Sequence, residues 1–68
     1  MDEDNLNMEI RKFLKKVGIT SQRIIENQIY EADKNGTVKS GDEILLNMTL
    51  SIRNFQSNSR IEGKIKIE

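Results

Sequence analysis

The hydrophobic period of this chain changes once, and the change falls at Gly36. Before it, apolar residues recur at the spacing of a helix face; after it, they alternate as on a half-buried strand. Leu6, Ile10, Phe13, Leu14 and Val17 form one stripe between Asp4 and Val17, with Arg11, Lys12, Lys15 and Lys16 on the opposite side. Ile24, Ile25, Ile29 and Ala32 share a face further on. In the second half, Leu46, Met48, Leu50 and Ile52 alternate with Asn47, Thr49, Ser51 and Arg53. Ile61, Gly63, Ile65 and Ile67 then alternate with Arg60, Glu62, Lys64, Lys66 and Glu68. A chain with both periods in separate halves belongs to the α+β class.

Local stop and start signals divide the front half into two helices. Gly18 follows the last residue of the first stripe, where a left-handed C′ position is wanted, and Ile19 could then touch Leu14. Thr20 or Ser21 supplies an N-cap, and Ile19 can staple onto Ile24. Gly36 gives the second stop, with Lys34 in the last turn. These signals predict an antiparallel helix pair over residues 5–35, behind a frayed segment 1–4 whose Asp2, Glu3 and Asp4 complement the helix dipole. Residues 37–68 are expected to form an antiparallel β-hairpin with its loop at 55–59. Val38 could add a short edge strand ahead of the Ser40-Gly41-Asp42 turn, making a three-stranded meander. A lone two-stranded ribbon is marginal in water, so the helix pair is expected to pack on its apolar face. The reading is one small domain.

A single core in a 68-residue chain supplies only about 3–5 kcal/mol. Small scaffolds add a disulfide, a metal or a partner to such a core. With no cysteine and no histidine, the first is excluded and the second is left to carboxylates and carbonyls. Self-association is the remaining staple, so the expected partner is either a second copy, as a homodimer, or an unidentified protein. Eleven basic residues balance eleven acidic ones, whereas a dedicated nucleic-acid binder usually shows a basic excess. Met1-Asp2-Glu3-Asp4 is acidic where a signal peptide needs a basic run, and no apolar stretch approaches a bilayer span. The expectation is a cytoplasmic protein that engages no membrane.

Catalysis is hard to assemble from this inventory. The usual base near neutral pH and the usual soft nucleophile are both missing, and the serines at 21, 40, 51, 57 and 59 fall at a cap, in turns or on a polar strand face. No enzyme activity, cofactor or metal site is expected. The acidic triplet lacks the spacing and central glycine of a calcium loop. Asn35-Gly36-Thr37 and Asn47-Met48-Thr49 match a glycosylation pattern only by chance. A helix-turn-helix between Phe13 and Asn27 is the sharpest alternative, with Ser21, Gln22 and Arg23 opening a recognition helix. Leu14, Asn27 and the acidic Glu26, Glu31 and Asp33 count against it. The candidate partner contacts are the basic set Arg11, Lys12, Lys15 and Lys16, together with Tyr30 and Phe55, since aromatic residues concentrate at interface hot spots.

The run from Met8 through Arg23, continuing to Ile25-Glu26, resembles the opening of a family of very short bacterial proteins, largely proteobacterial and of unknown function. Over the strands only Met48-Thr49-Leu50 and the alternating tail look similar. The resemblance implies no activity, cofactor or site residue. The combined expectation is a non-catalytic interaction or assembly module, with a weak nucleic-acid-binding helix-turn-helix protein as the rival.

Overall fold

A computed structural model describes all residues, 1–68. It contains one helix and two strands: α1 (Glu3–Lys34), β1 (Glu43–Ile52) and β2 (Ser57–Lys66). They fall into two units, Met1–Asn35 and Gly36–Glu68.

The first unit is a single 32-residue helix, not the expected helix pair. Gly18 lies in its interior with an ordinary helical backbone, and a Cβ built there would meet nothing within 4 Å. Magnitudes explain why the stop signal fails. A glycine inside a helix costs about 1 kcal/mol relative to alanine. Ending one helix at Val17 and starting another at Thr20 would forfeit about four backbone hydrogen bonds, each worth about 0.5–1.5 kcal/mol net. A cap at Thr20 or Ser21 returns only about 1 kcal/mol of that. Continuation is the cheaper outcome.

The ends of α1 are set where the local chemistry is strong. Asp2 is the N-cap, in extended conformation, and its Oδ1 accepts from the Asn5 backbone N–H at 3.1 Å. Its carbonyl also accepts the Leu6 N–H, so Asp2 belongs to the ordered start of the helix and not to a frayed tail. Glu3 and Asp4 occupy the first turn and Lys34 the last, each with the favourable sign for the dipole. Asn35 closes the helix, and Gly36 follows at φ 71°, the left-handed stop anticipated there.

The second unit is a two-stranded antiparallel hairpin in which Glu43 pairs with Lys66 and Ile52 with Ser57. The third strand expected at Val38 does not form, because Lys39-Ser40-Gly41-Asp42 turns the chain directly into β1. Asp42 N–H donates to the Lys39 carbonyl at 3.0 Å, and its Oδ2 accepts from Lys39 N–H at 2.9 Å. Gly41, at φ 96°, takes the third place of that turn, which demands a positive φ. Gly41 N–H donates to the Ile67 carbonyl at 2.6 Å, while Ile67 N–H donates to the Asp42 carbonyl at 2.8 Å. Two residues thus oppose one, with a glycine in the first position: a G1 β-bulge that joins turn to ladder. Val38 stays outside the strands and is buried, 8% exposed.

The hairpin tip also lies earlier than the sequence suggests, at residues 53–56 instead of 55–59. Phe55 N–H closes on the Ile52 carbonyl at 3.2 Å, and Gln56 takes a positive φ of 51°. Ser57, Asn58 and Ser59 look like loop residues by type, yet they pair with Ile52, Ser51 and Leu50. The pairing of Ile44 with Ile65 and Met48 with Ile61 fixes this register, since a one-residue slip would place apolar side chains opposite polar ones.

Candidate functional site

Each unit is a single layer of structure, and a single layer cannot bury its own apolar face. Continuity of α1 puts the two apolar stripes of the sequence in phase. Phe13 and Ile24, and likewise Leu14 and Ile25, are eleven residues apart, which is three helical turns plus only about 20°. Leu6, Ile10, Phe13, Leu14, Val17, Ile24 and Ile25 therefore lie along one side of the helix. None is buried: Ile10 is 47% exposed, Phe13 54% and Leu14 53%. Within its own unit α1 has no buried residue at all.

A second, narrower line emerges on the other side. Met8, Ile19 and Tyr30 are again eleven residues apart and each at least half exposed. Sequence reading assigned Ile19 to a helix stop and a staple; in one continuous helix it joins Tyr30 instead. The eleven-residue spacing is the signal that could have shown this.

The four basic candidates, Arg11, Lys12, Lys15 and Lys16, lie within one and a half turns on the side away from the main stripe. Lys12 Nζ sits 3.6 Å from Glu9 Oε1, an exposed pair three residues apart. Such a contact is worth only a few tenths of a kcal/mol, so the basic group stays available to solvent. Tyr30 is 59% exposed and lies about 21 Å along the helix from Lys16 at 1.5 Å per residue. Phe55, 76% exposed, belongs to the other unit, at the hairpin tip. The structure groups the four basic residues; Tyr30 lies well along α1 from them, and Phe55 belongs to a different unit.

The helix-turn-helix reading loses its geometry. Phe13 to Asn27 is uninterrupted helix, so there is no turn at Gly18 and no separate recognition helix beginning at Ser21. Gln22 Nε2 donates to Glu26 Oε2 at 3.3 Å along the same helix face.

In the hairpin, Ile44, Leu46, Met48, Leu50 and Ile52 share one face with Ile61, Gly63 and Ile65. Met48, Leu50 and Ile52 are each about 40% exposed, and Ile61 is 61% exposed. The opposite face carries Glu43, Asn47, Thr49 and Ser51 against Asn58, Arg60, Glu62, Lys64 and Lys66, with Leu45 as its single large apolar residue. On that face Ser51 Oγ donates to Asn58 Oδ1 at 2.7 Å, and Lys64 Nζ lies 3.4 Å from Glu43 Oε2 across a diagonal pair. Arg60 Nε meets Glu62 along the strand at 3.3 Å. Charge pairing across the strands therefore runs through Glu43; Arg53 lies in the loop. No cluster of three or more acidic, histidine or cysteine side chains could hold a metal ion, and no helix is long and apolar enough to cross a membrane.

Helix and hairpin together define a small α+β protein, one amphipathic helix and one β-hairpin, each with one apolar face. The chain belongs to the Family of unknown function (DUF6494), whose model matches residues 1–68. No curated protein matches it. No solved structure matches it either.

Proposed function

We propose that this chain is a non-catalytic interaction or assembly module of a bacterial cytoplasm, whose apolar faces are covered by protein. The observation that carries the reading is the exposed stripe on α1. Completing the burial of a half-exposed Leu, Ile or Phe is worth about 1 kcal/mol each. Leu6, Ile10, Phe13, Leu14 and Ile24, contributed by two partners, therefore offer on the order of 10 kcal/mol. That is comparable with the association cost of about 4–15 kcal/mol, so a protein partner can be held where isolated surface leucines would not suffice. The lack of cysteine fits the reducing compartment that this reading assigns. The absence of histidine and cysteine supports a non-catalytic role.

Sedimentation velocity over a concentration series, on the wild-type chain and Phe13→Asp, tests the proposal. Association that weakens in the variant supports it. A chain that stays monomeric throughout, and whose residue 13 bearing a photo-crosslinker traps no protein in host lysate, refutes it.

A further inference from the structure

The two edges of the hairpin differ in a way that selects one of them for pairing. β2 carries Arg60, Glu62, Lys64 and Lys66, the charges by which edge strands resist adding another strand. These four charges occupy successive outward-facing positions of β2, so every residue that would meet an added strand there from Arg60 to Lys66 is charged. β1 has none of this protection. Its only charge is Glu43 at the very start, and Ile44 through Ile52 are uncharged and free of proline.

The backbone of β1 is also open along its outer side. Ile67 N–H reaches the Asp42 carbonyl, so in the alternating antiparallel ladder the even-numbered residues of β1 bond to β2. The N–H and C=O groups of Glu43, Leu45, Asn47, Thr49 and Ser51 then face outward. No third strand pairs with that side of β1, and no turn or loop hydrogen bond reaches it.

We infer that β1 pairs antiparallel with β1 of a second copy, giving a four-stranded sheet of order β2-β1-β1-β2. This deepens the assembly reading above and rests on it. A two-fold axis at Met48 sets Leu45 opposite Ser51 and Asn47 opposite Thr49, forming about eight backbone hydrogen bonds across the junction. The same register sets Ile44 opposite Ile52 and Leu46 opposite Leu50, so the apolar face runs on without interruption. Carried one residue past Ile52, the same register brings the turn residue Arg53 of each copy beside Glu43 of the other, an opposite-charge contact at both ends of the junction. Four strands with an apolar face exceed the minimum that an isolated two-stranded ribbon fails to reach.

The test uses the full chain and reads mass by sedimentation, with hairpin integrity followed by amide exchange. Thr49→Pro removes an outward donor of β1; Glu62→Pro removes an outward donor of β2 and serves as the matched control. The expected result is a wild-type dimer, a monomer with a protected hairpin for T49P, and a dimer for E62P. Should both proline variants lose the hairpin, charge reversal decides. Glu43→Arg and Arg53→Glu should each weaken dimerisation about tenfold or more, and the double variant should restore it. Restoration supports the junction; failure of the double variant to restore it overturns the register and the proposal. A wild type monomeric at every concentration overturns the edge pairing, while crosslinks at residue 13 would keep the wider assembly reading. A dimer that survives T49P with its hairpin intact but dissolves in Phe13→Asp likewise overturns the edge and leaves assembly through α1 standing.

Discussion

Gly18→Ala separates one long helix from a helix pair by the sign of its effect. In α1 the residue is helical, its added methyl meets nothing within 4 Å, and its backbone is not in the left-handed region. Alanine there should stabilise the helix by about 0.8–1 kcal/mol, from its better propensity and the reduced freedom of the unfolded chain. Had Gly18 been the C′ residue of a first helix, the same methyl would meet left-handed strain and cost about 1–2 kcal/mol. The two arrangements therefore differ by about 2–3 kcal/mol, and in direction. Urea or thermal unfolding followed by far-ultraviolet dichroism, which reads the helix, measures the difference. At this size 1 kcal/mol moves a thermal midpoint by about 4–8 °C. Gly36→Ala is the internal control: at φ 71° it should destabilise by about 1–2 kcal/mol in the same assay. A Gly18→Ala midpoint below wild type, with Gly36→Ala behaving as stated, would refute the continuous helix and the single stripe built upon it.

Three further outcomes follow from particular contacts. Asp2→Ala should lower helix stability by about 1 kcal/mol and speed amide exchange at Asn5, whose N–H the carboxylate accepts. Gly41→Ala should strain the turn at φ 96° by about 1–2 kcal/mol. Its readout is exchange at Ile67, whose N–H bonds to Asp42, rising at least about fivefold if opening of this end governs it. Replacing Arg11 and Lys15 together by Glu should leave self-association within about twofold of wild type, because both lie away from the apolar stripe. Labelled RNA and DNA titrated at low salt should show no binding to the wild-type chain that this double variant abolishes; such binding would instead assign the basic side of α1 to phosphates.

Much of the fold was legible where several local signals agreed. The end of α1 at Asn35 and Gly36 combined a stop glycine, a last-turn lysine and the end of the apolar period, and the structure places the stop there. The hairpin was legible because two alternating runs had matching apolar faces. Gly18 misled because its signal was isolated: one glycine and a following threonine or serine compete with a stripe that continues through Ile24 and Ile25. Ser57, Asn58 and Ser59 misled in the same manner, since residue type suggests a loop but cross-strand register is set by the isoleucines further along. Of the candidate surface, the basic group and the exposed Tyr30 and Phe55 could be named from sequence. The alignment of Met8, Ile19 and Tyr30 was written in their eleven-residue spacing, but that spacing counts only if the helix does not break at Gly18.

The order of the amino acids by itself determined that this chain is helical in front and extended behind, with the change at Gly36, because side-chain period is a local property of the backbone. It also determined that the chain carries no thiol and no imidazole. What required the folded structure was how many helices the front half makes, where the hairpin turns and which strand edge lies open. Those outcomes depend on sums of hydrogen bonds over many residues, and such sums outweigh the roughly 1 kcal/mol preference of any one glycine or cap.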